Sequence, residues 1–146
     1  MDEKYEGLQL DNQLCFPLYA ASKEVIKKYR PFLDKIGLTY TQYITMMVMW
    51  EQEKMNVKDL GAELFLDSGT LTPVLKELEA KDYLKRERSS VDERVLLVSL
   101  TPTGEKLKDR AVSIPKSVAS LLKLDQKEAL ELYRILYKIL RNLHEQ

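Results

Sequence analysis

Hydrophobic positions recur at helical spacing over the first third of the chain. Between residues 12 and 29 they fall every three or four residues, which predicts a helix, and Pro17 fits only if that helix begins just before it. Gly37 marks its end. Thr39 followed three residues later by Gln42 is a capping box. It predicts a second helix that continues through the apolar run after it.

Two further helices and a hairpin are predicted next. Asn56 can cap the first of these helices, and the second could be capped by Asp67 or by Thr72. Strand-like runs at 84–88 and 94–100 then flank the polar tip "SSVDE". Two short helices joined by a tight turn and followed by a hairpin describe a winged helix-turn-helix.

The C-terminal part predicts two long helices. Thr101 with Pro102 starts the first, which Pro115 interrupts, and "DQKE" from Asp125 starts the second. The last helix carries a long apolar stripe formed by Leu130, Tyr133, Leu136 or Tyr137, and Leu140. A small winged domain cannot cover this surface, so the terminal helices are expected to form a dimer interface.

These elements predict a mainly α fold in a single domain, residues 1–146. Dimerisation helices at about 8–36 and 102–144 would flank a winged helix-turn-helix at about 39–101.

Composition adds bounds rather than a function. Lys plus Arg number 23 and Asp plus Glu number 23, so net charge neither indicates nor excludes a nucleic-acid partner. The chain starts without a hydrophobic signal segment, and its longest apolar run, "YITMMVMW", is too short to span a bilayer. A single cysteine cannot form an internal disulfide. We therefore expect a cytoplasmic protein with no membrane partner.

Cys15 is the one candidate for redox chemistry. It lies near a predicted helix start, where the helix dipole favours a thiolate, and Tyr19 follows one turn later on the same face. A lone cysteine is more often a small hydrophobic residue in a helix seam, and the residues alone favour that interpretation. One cysteine and one histidine, His144, make a metal site improbable, and no cofactor motif is present.

Candidate DNA contacts lie on the predicted recognition helix and hairpin. On the helix they are Ser68, Thr70, Thr72 and Lys76, whose hydroxyl and ammonium groups suit base edges or phosphates. On the hairpin the candidates are Arg86, Arg88 and Arg94, with Asp92 placed to orient Arg94. The alternative is a solvated hairpin whose surface ion pairs each contribute on the order of 0–1 kcal/mol.

Two long stretches of the sequence resemble a known family. "LFLDSGTLTPVLKELEAKDYLKRERSSVDERVLLVSLTPTGEKL" resembles the recognition helix and wing of MarR-family transcription regulators. Within that family, "NQLCFPLYAASKEVIKKYRPFLDKIGLTYTQY" resembles the one-cysteine organic hydroperoxide sensors, and related staphylococcal-type thiol regulators share much of it. The similarity spans roughly residues 8 to 144.

The resemblance implies a homodimeric repressor whose reduced form binds a pseudo-palindromic operator. An organic hydroperoxide would oxidise Cys15 to a sulfenic acid, and a low-molecular-weight thiol would then form a mixed disulfide with it. Tyr29 and Tyr40 match tyrosines that such sensors place near the cysteine from the partner subunit. Arg94 matches a wing residue that enters the minor groove.

Three residues depart from the family pattern, and three other functions stay open. Pro17 follows the cysteine where relatives carry an ordinary helix former, Thr41 replaces a proline, and Glu77 occupies a position that is often basic. The first alternative function is a regulator that binds a small aromatic ligand near Met46, Met47, Met49 and Trp50. The others are a broader thiol-based global regulator and a thiol peroxidase.

Overall fold

The computed structural model describes residues 2–144. Two short 3-10 turns, Glu3–Leu8 and Leu10–Asn12, precede the first helix. The helices are α1 (Cys15–Asp34), α2 (Tyr40–Gln52), α3 (Val57–Leu64), α4 (Ser68–Ala80), α5 (Pro102–Ala111), α6 (Ile114–Leu122) and α7 (Gln126–His144). The strands are β1 (Lys54–Asn56), β2 (Leu84–Arg88) and β3 (Leu96–Leu100).

The first two helices begin near the predicted residues, and of the two only α2 has a side-chain cap. Because α1 starts at Cys15, Pro17 lies in the first turn, where its missing N–H leaves no bond unmade. The predicted capping box of α2 is confirmed, since Thr39 Oγ1 accepts from the Gln42 N–H at 3.2 Å and Gln42 Oε1 accepts from the Thr39 N–H at 3.1 Å. Gly37 ends the α1 segment with φ +69°, a conformation that favours glycine.

The start of α4 is decided between its two predicted caps. Asp67 is the cap residue, and its carboxylate accepts from the Thr70 N–H at 2.8 Å. Thr72 and Pro73 therefore lie inside the helix rather than at its start.

The structure adds a third strand to the predicted two-stranded hairpin. β2 and β3 pair antiparallel with Leu84 opposite Leu100, but β3 also pairs with β1, which gives a three-stranded sheet in the order β1-β3-β2. β1 has only three residues, too few to show the period-two alternation by which a strand is recognised. β3 begins at Leu96 rather than residue 94, because Asp92 to Val95 form a turn closed by the Val95 N–H and the Asp92 carbonyl.

The core of the winged helix-turn-helix lies between α2, α3, α4 and the sheet. Its fully buried side chains include Met46, Met49, Leu60, Leu75, Leu78 and Val98. Met46 and Met49 thus pack in the core rather than around an open pocket, and Met47 is exposed. The Trp50 indole N–H donates to the Gly104 carbonyl at 2.9 Å, which ties α2 to α5.

After the wing there are three helices instead of the predicted two. The break lies at residues 112 and 113, and Pro115 is the second residue of α6, where proline is well tolerated. Asp125 and Glu128 form the predicted capping pair ahead of α7, with each carboxylate accepting from the other's backbone N–H at 2.8 and 3.1 Å.

The chain divides into two compact units, residues 1–114 and 115–146. The predicted single domain therefore stays a prediction. In the first unit, Leu33 is the only buried residue of α1, although that helix is 20 residues long. In the second, the described residues of α7 include no buried side chain, and Leu130, Tyr133 and Leu143 are each more than 60% exposed. Across residues 2–144, no helix is long and apolar enough to cross a membrane.

Candidate DNA-binding surface and redox site

The recognition helix α4 presents a polar face at its N-terminal end. Ser68, Thr72 and Lys76 are four residues apart and therefore share one face, while Leu71, Leu75 and Leu78 are buried on the other. Thr70 is exposed in the first turn. The backbone N–H of Thr70 holds the pKa of Asp67 below its ordinary value, so this carboxylate stays charged and caps the helix. The hydroxyls and the lysine of α4 are accordingly available to a ligand in front of the helix.

The wing tip presents an oriented arginine. Arg94 Nε and Nη2 donate to the two carboxylate oxygens of Asp92 at 3.1 and 3.2 Å, and the Arg94 N–H donates to the same group at 3.0 Å. The side-chain hydrogen bonds from Arg94 are the main cause of a lowered pKa at Asp92. Because the Arg94 side chain is 91% exposed, its guanidinium projects into solvent while one edge is held by the carboxylate. The pairing of Asp92 with Arg94 is thus present in the structure, and its role in DNA binding stays a prediction.

A groove connects the helix and the wing. Its volume is about 530 Å³, and its lining includes Ser68 and Thr72 from α4 together with Arg94 from the wing. The structure therefore brings three of the predicted DNA contacts to one concave surface. Lys58, in the first turn of α3, lines the same groove and was missed by the sequence analysis. A basic residue two positions after the predicted cap Asn56 was the available signal.

Arg86 is placed differently from the other arginines. Its guanidinium donates to Glu79 at 3.2 Å, and its backbone N–H donates to the same carboxylate at 3.0 Å. These hydrogen bonds, the backbone one first, lower the pKa of Glu79. The pair fastens β2 to α4, so Arg86 holds the wing against the recognition helix. Arg88, at the end of β2, is exposed. Contact of either arginine with DNA stays a prediction.

Glu77, the acidic residue at an often basic position, points towards α2. Its carboxylate accepts a hydrogen bond from the Gln42 side-chain amide, and Gln42 is only 2% exposed. Glu77 therefore serves a contact between two helices, which accounts for an acidic residue on the recognition helix.

Cys15 is a free thiol at the first residue of α1. It is exposed, and so is Tyr19, four residues further along the same face. Lys23 extends this row by another turn, with its ammonium 5.4 Å from the centre of the Tyr19 ring. The thiol is thus accessible at a helix N-terminus, on the helix face that also carries Tyr19 and Lys23.

The other predicted tyrosines form a cluster elsewhere on the first unit. The ring centres of Tyr29 and Tyr40 are 4.9 Å apart, and Tyr43 lies 5.8 and 6.2 Å from them. Burial raises the pKa of all three, that of Tyr43 to about 12. Tyr43 was not among the predicted site residues, so its place in this cluster was missed.

Cys15 does not meet Tyr29 within one chain. Fourteen residues of continuous helix separate them, which corresponds to about 21 Å along the axis. The predicted redox residues therefore lie in two separate groups within one chain, Cys15 with Tyr19 and Tyr29 with Tyr40, and their redox role stays a prediction. No group of three His, Cys, Asp or Glu side chains within residues 2–144 could hold a metal ion.

An exposed recognition helix beside a wing with an oriented arginine defines a winged helix-turn-helix regulator of transcription. A family model described as "Transcriptional regulator SarA/Rot" matches residues 22–111. The chain belongs to the MarR-type transcription regulators, in which it is related to the organic hydroperoxide sensors and the SarA/Rot regulators. It is a regulator rather than an enzyme.

Three relatives support this assignment. The organic hydroperoxide resistance transcriptional regulator of Bacillus subtilis is 46% identical over 145 residues, which covers 99% of both chains. The regulator SarZ of Staphylococcus aureus is 48% identical over 124 residues, covering 85% of this chain and 84% of SarZ. The solved structure of reduced AbfR bound to DNA has a TM-score of 0.79 and 34% identity, and covers 96% of this chain and 99% of AbfR.

Proposed function

We propose that this protein is a homodimeric, cytoplasmic repressor that senses organic hydroperoxides through Cys15 and then releases its operator. The observation that carries the proposal is an exposed free thiol at the N-terminus of a helix, in a chain that also presents an exposed recognition helix. The similarity to a hydroperoxide resistance regulator over 99% of the chain supports the choice of oxidant.

The chemistry requires one outside thiol. The Cys15 thiolate attacks one peroxide oxygen of ROOH, the O–O bond breaks, and after proton uptake the products are a sulfenic acid and ROH. A small thiol then attacks the sulfenic sulfur, forming a mixed disulfide and releasing water. Since the chain has no second cysteine, no internal thiol can perform this step.

Dimerisation follows from the uncovered helices. α1 buries only Leu33, and Leu14, Phe16 and Leu18 near its start are between 41% and 82% exposed. A second copy is the simplest cover for this surface. We further propose that Tyr29 and Tyr40 of the partner subunit complete the redox site, because Cys15 and Tyr29 of one chain are separated by about 21 Å along the helix axis.

For DNA, we propose that two copies of the α4–wing groove contact two half-sites of a pseudo-palindromic operator. Ser68, Thr70, Thr72 and Lys76 would face the major groove, while Arg94, oriented by Asp92, would enter the minor groove. Arg86 and Arg88 would add to the positive field at the wing.

The test measures DNA binding before and after oxidation. The probe is a duplex selected from random sequence by the reduced protein, and the oxidant is one equivalent of cumene hydroperoxide with a small thiol. Wild type should release the duplex as intact mass shows one thiol adduct, and Cys15→Ser should stay bound. If both proteins stay bound, or both release it, Cys15 is not the switch.

The same samples separate the alternatives. Consumption of many peroxide equivalents per chain would indicate a thiol peroxidase instead of a switch. Release of Cys15→Ser by a small aromatic acid would indicate a ligand-driven regulator. Mapping all bound promoters in cells distinguishes a dedicated hydroperoxide regulator, with few sites, from a broader global regulator.

A further inference from the structure

We propose that Gln42 is a positioning residue that transmits the state of the redox site to the recognition helix. The inference rests on the proposed function and adds the residue through which oxidation would reach DNA binding. The geometry that points to it is a buried amide that joins the first turn of α2, which carries Tyr40, to the side of α4.

The Gln42 side chain bonds to three residues. Its Oε1 accepts from the Thr39 N–H at 3.1 Å and from Lys81 Nζ at 3.4 Å. Its Nε2 donates to the Glu77 carboxylate. The amide is therefore shared between the cap of α2, the side of α4 and the residue that follows α4. Because its hydrogen bonds are directional, α2 cannot turn relative to α4 without breaking at least one of them.

The loop between α1 and α2 is held by the same group of residues. Lys81 Nζ also donates to the Gly37 carbonyl at 2.5 Å, and Arg110 Nη2 donates to the Lys35 carbonyl at 2.6 Å. The end of α1 is thus fixed to Lys81, which follows α4, and to Arg110 in α5. A displacement of the end of α1 is resisted at these two carbonyls.

The pair of Tyr29 and Tyr40 lies next to this network of hydrogen bonds. Tyr40 is the first residue of α2, two positions before Gln42, and its ring lies 4.9 Å from that of Tyr29 on α1. Tyr43, which follows Gln42, packs against both rings. When the contacts of Tyr29 and Tyr40 change, the first turn of α2 moves. The hydrogen bond from Gln42 to Glu77 then transmits this movement to α4.

If the Gln42 amide had only a structural role, a different result would be expected. Its loss would lower stability and would weaken DNA binding equally in the reduced and oxidised protein. A positioning residue instead changes the release ratio, which is the dissociation constant for DNA after oxidation divided by that before it. Gln42→Met leaves the charge of Glu77 unchanged, so a lower release ratio in this variant does not arise from charge.

The experiment compares Gln42→Met and Glu77→Met with the matched control Gln52→Met, at the exposed last residue of the same helix. Each protein is titrated with the selected duplex before and after treatment with cumene hydroperoxide and a small thiol, and intact mass confirms complete modification. We expect both test variants to lower the release ratio roughly tenfold, within the range for residues that couple two sites. The double variant should be no lower than either single one.

An unchanged release ratio in Gln42→Met and Glu77→Met would overturn the inference, whatever the loss in melting temperature. If Gln42→Met does not fold, Glu77→Met decides, since Glu77 is exposed and its replacement leaves the core intact. A release ratio of one in wild type would refute the proposed function itself. Failure of the Gln42 inference alone looks different, because wild type would then release DNA on oxidation and the variants would show the same release ratio.

Discussion

Gly104 in α5 offers the sharpest test of how the wing is attached. A Cβ added there would lie 2.2 Å from the Tyr83 carbonyl oxygen and 2.9 Å from Leu100 Cδ1. Tyr83 precedes β2 and Leu100 ends β3, so both contacts are at the base of the wing. The nearer atom belongs to the backbone and cannot move aside by a rotamer change.

The expected cost of Gly104→Ala follows from that geometry. Restoring an ordinary contact of 3.4 Å requires α5 and the wing to separate by about 1 Å. Overpacking of this kind costs about 1–3 kcal/mol, occasionally more, while alanine recovers up to about 1 kcal/mol of helix propensity. The displacement also strains the bond from Trp50 to the Gly104 carbonyl. We expect a net loss of about 1–2 kcal/mol in the free energy of unfolding and weaker DNA binding through a displaced wing.

Trp50 makes the assay direct, because it is the only tryptophan and its indole bonds to the substituted residue. Denaturant unfolding is followed by its fluorescence at one fixed protein concentration, since a dimer's stability depends on concentration. Gly7→Ala is the control, as a Cβ there meets nothing within 4 Å. If Gly104→Ala matched the stability of Gly7→Ala, the proposed contact between α5 and the wing base would be refuted.

Two further predictions concern charge. Arg94→Ala should weaken operator binding and lower the slope of log Kd against log salt by about 2 per dimer, because each copy loses one phosphate contact. The control Lys27→Ala on α1 should leave this slope unchanged. Equal slopes for the two variants would argue against a contact between the wing and DNA. Burial raises the pKa of Tyr43 to about 12, with smaller contributions from Tyr29 and Tyr40, against about 10 in an unfolded chain. Stability that is complete below pH 10 should therefore fall as pH rises towards 12, by on the order of 3 kcal/mol. Tyr43→Phe should remove most of that fall, and an unaltered pH profile would contradict the assignment.

Local signals in the chain were enough to predict most of the helices. The cap pairs Thr39 with Gln42 and Asp125 with Glu128 place two helix starts correctly, because a cap depends on residues within one turn. The start of α4 had two candidates that local chemistry could not rank. Burial of Leu71 beside the cap at Asp67 accounts for the earlier start.

The sequence predicted only part of the candidate site. Hydroxyl and basic residues before a predicted hairpin pointed to DNA, and the wing pair of Asp92 and Arg94 was foreseen because the two residues are near neighbours in sequence. Lys58 was missed because its approach to Arg94 depends on how α3 packs beside the wing. The pairing of Arg86 with Glu79 was missed as well, since a charge pattern does not show which arginine has a partner within the protein.

What the amino-acid order determined is the set of elements and the inventory of chemistry, since helical periodicity, caps and a lone cysteine are properties of short segments. Tertiary structure decided the relations between distant segments. It added β1 to the sheet through pairing with β3, more than 40 residues away. It joined Tyr29 to Tyr40 and Tyr43, and it turned Glu77 towards the buried Gln42. These contacts depend on how helices pack, and packing is set by the whole core rather than by the residues on either side of a contact.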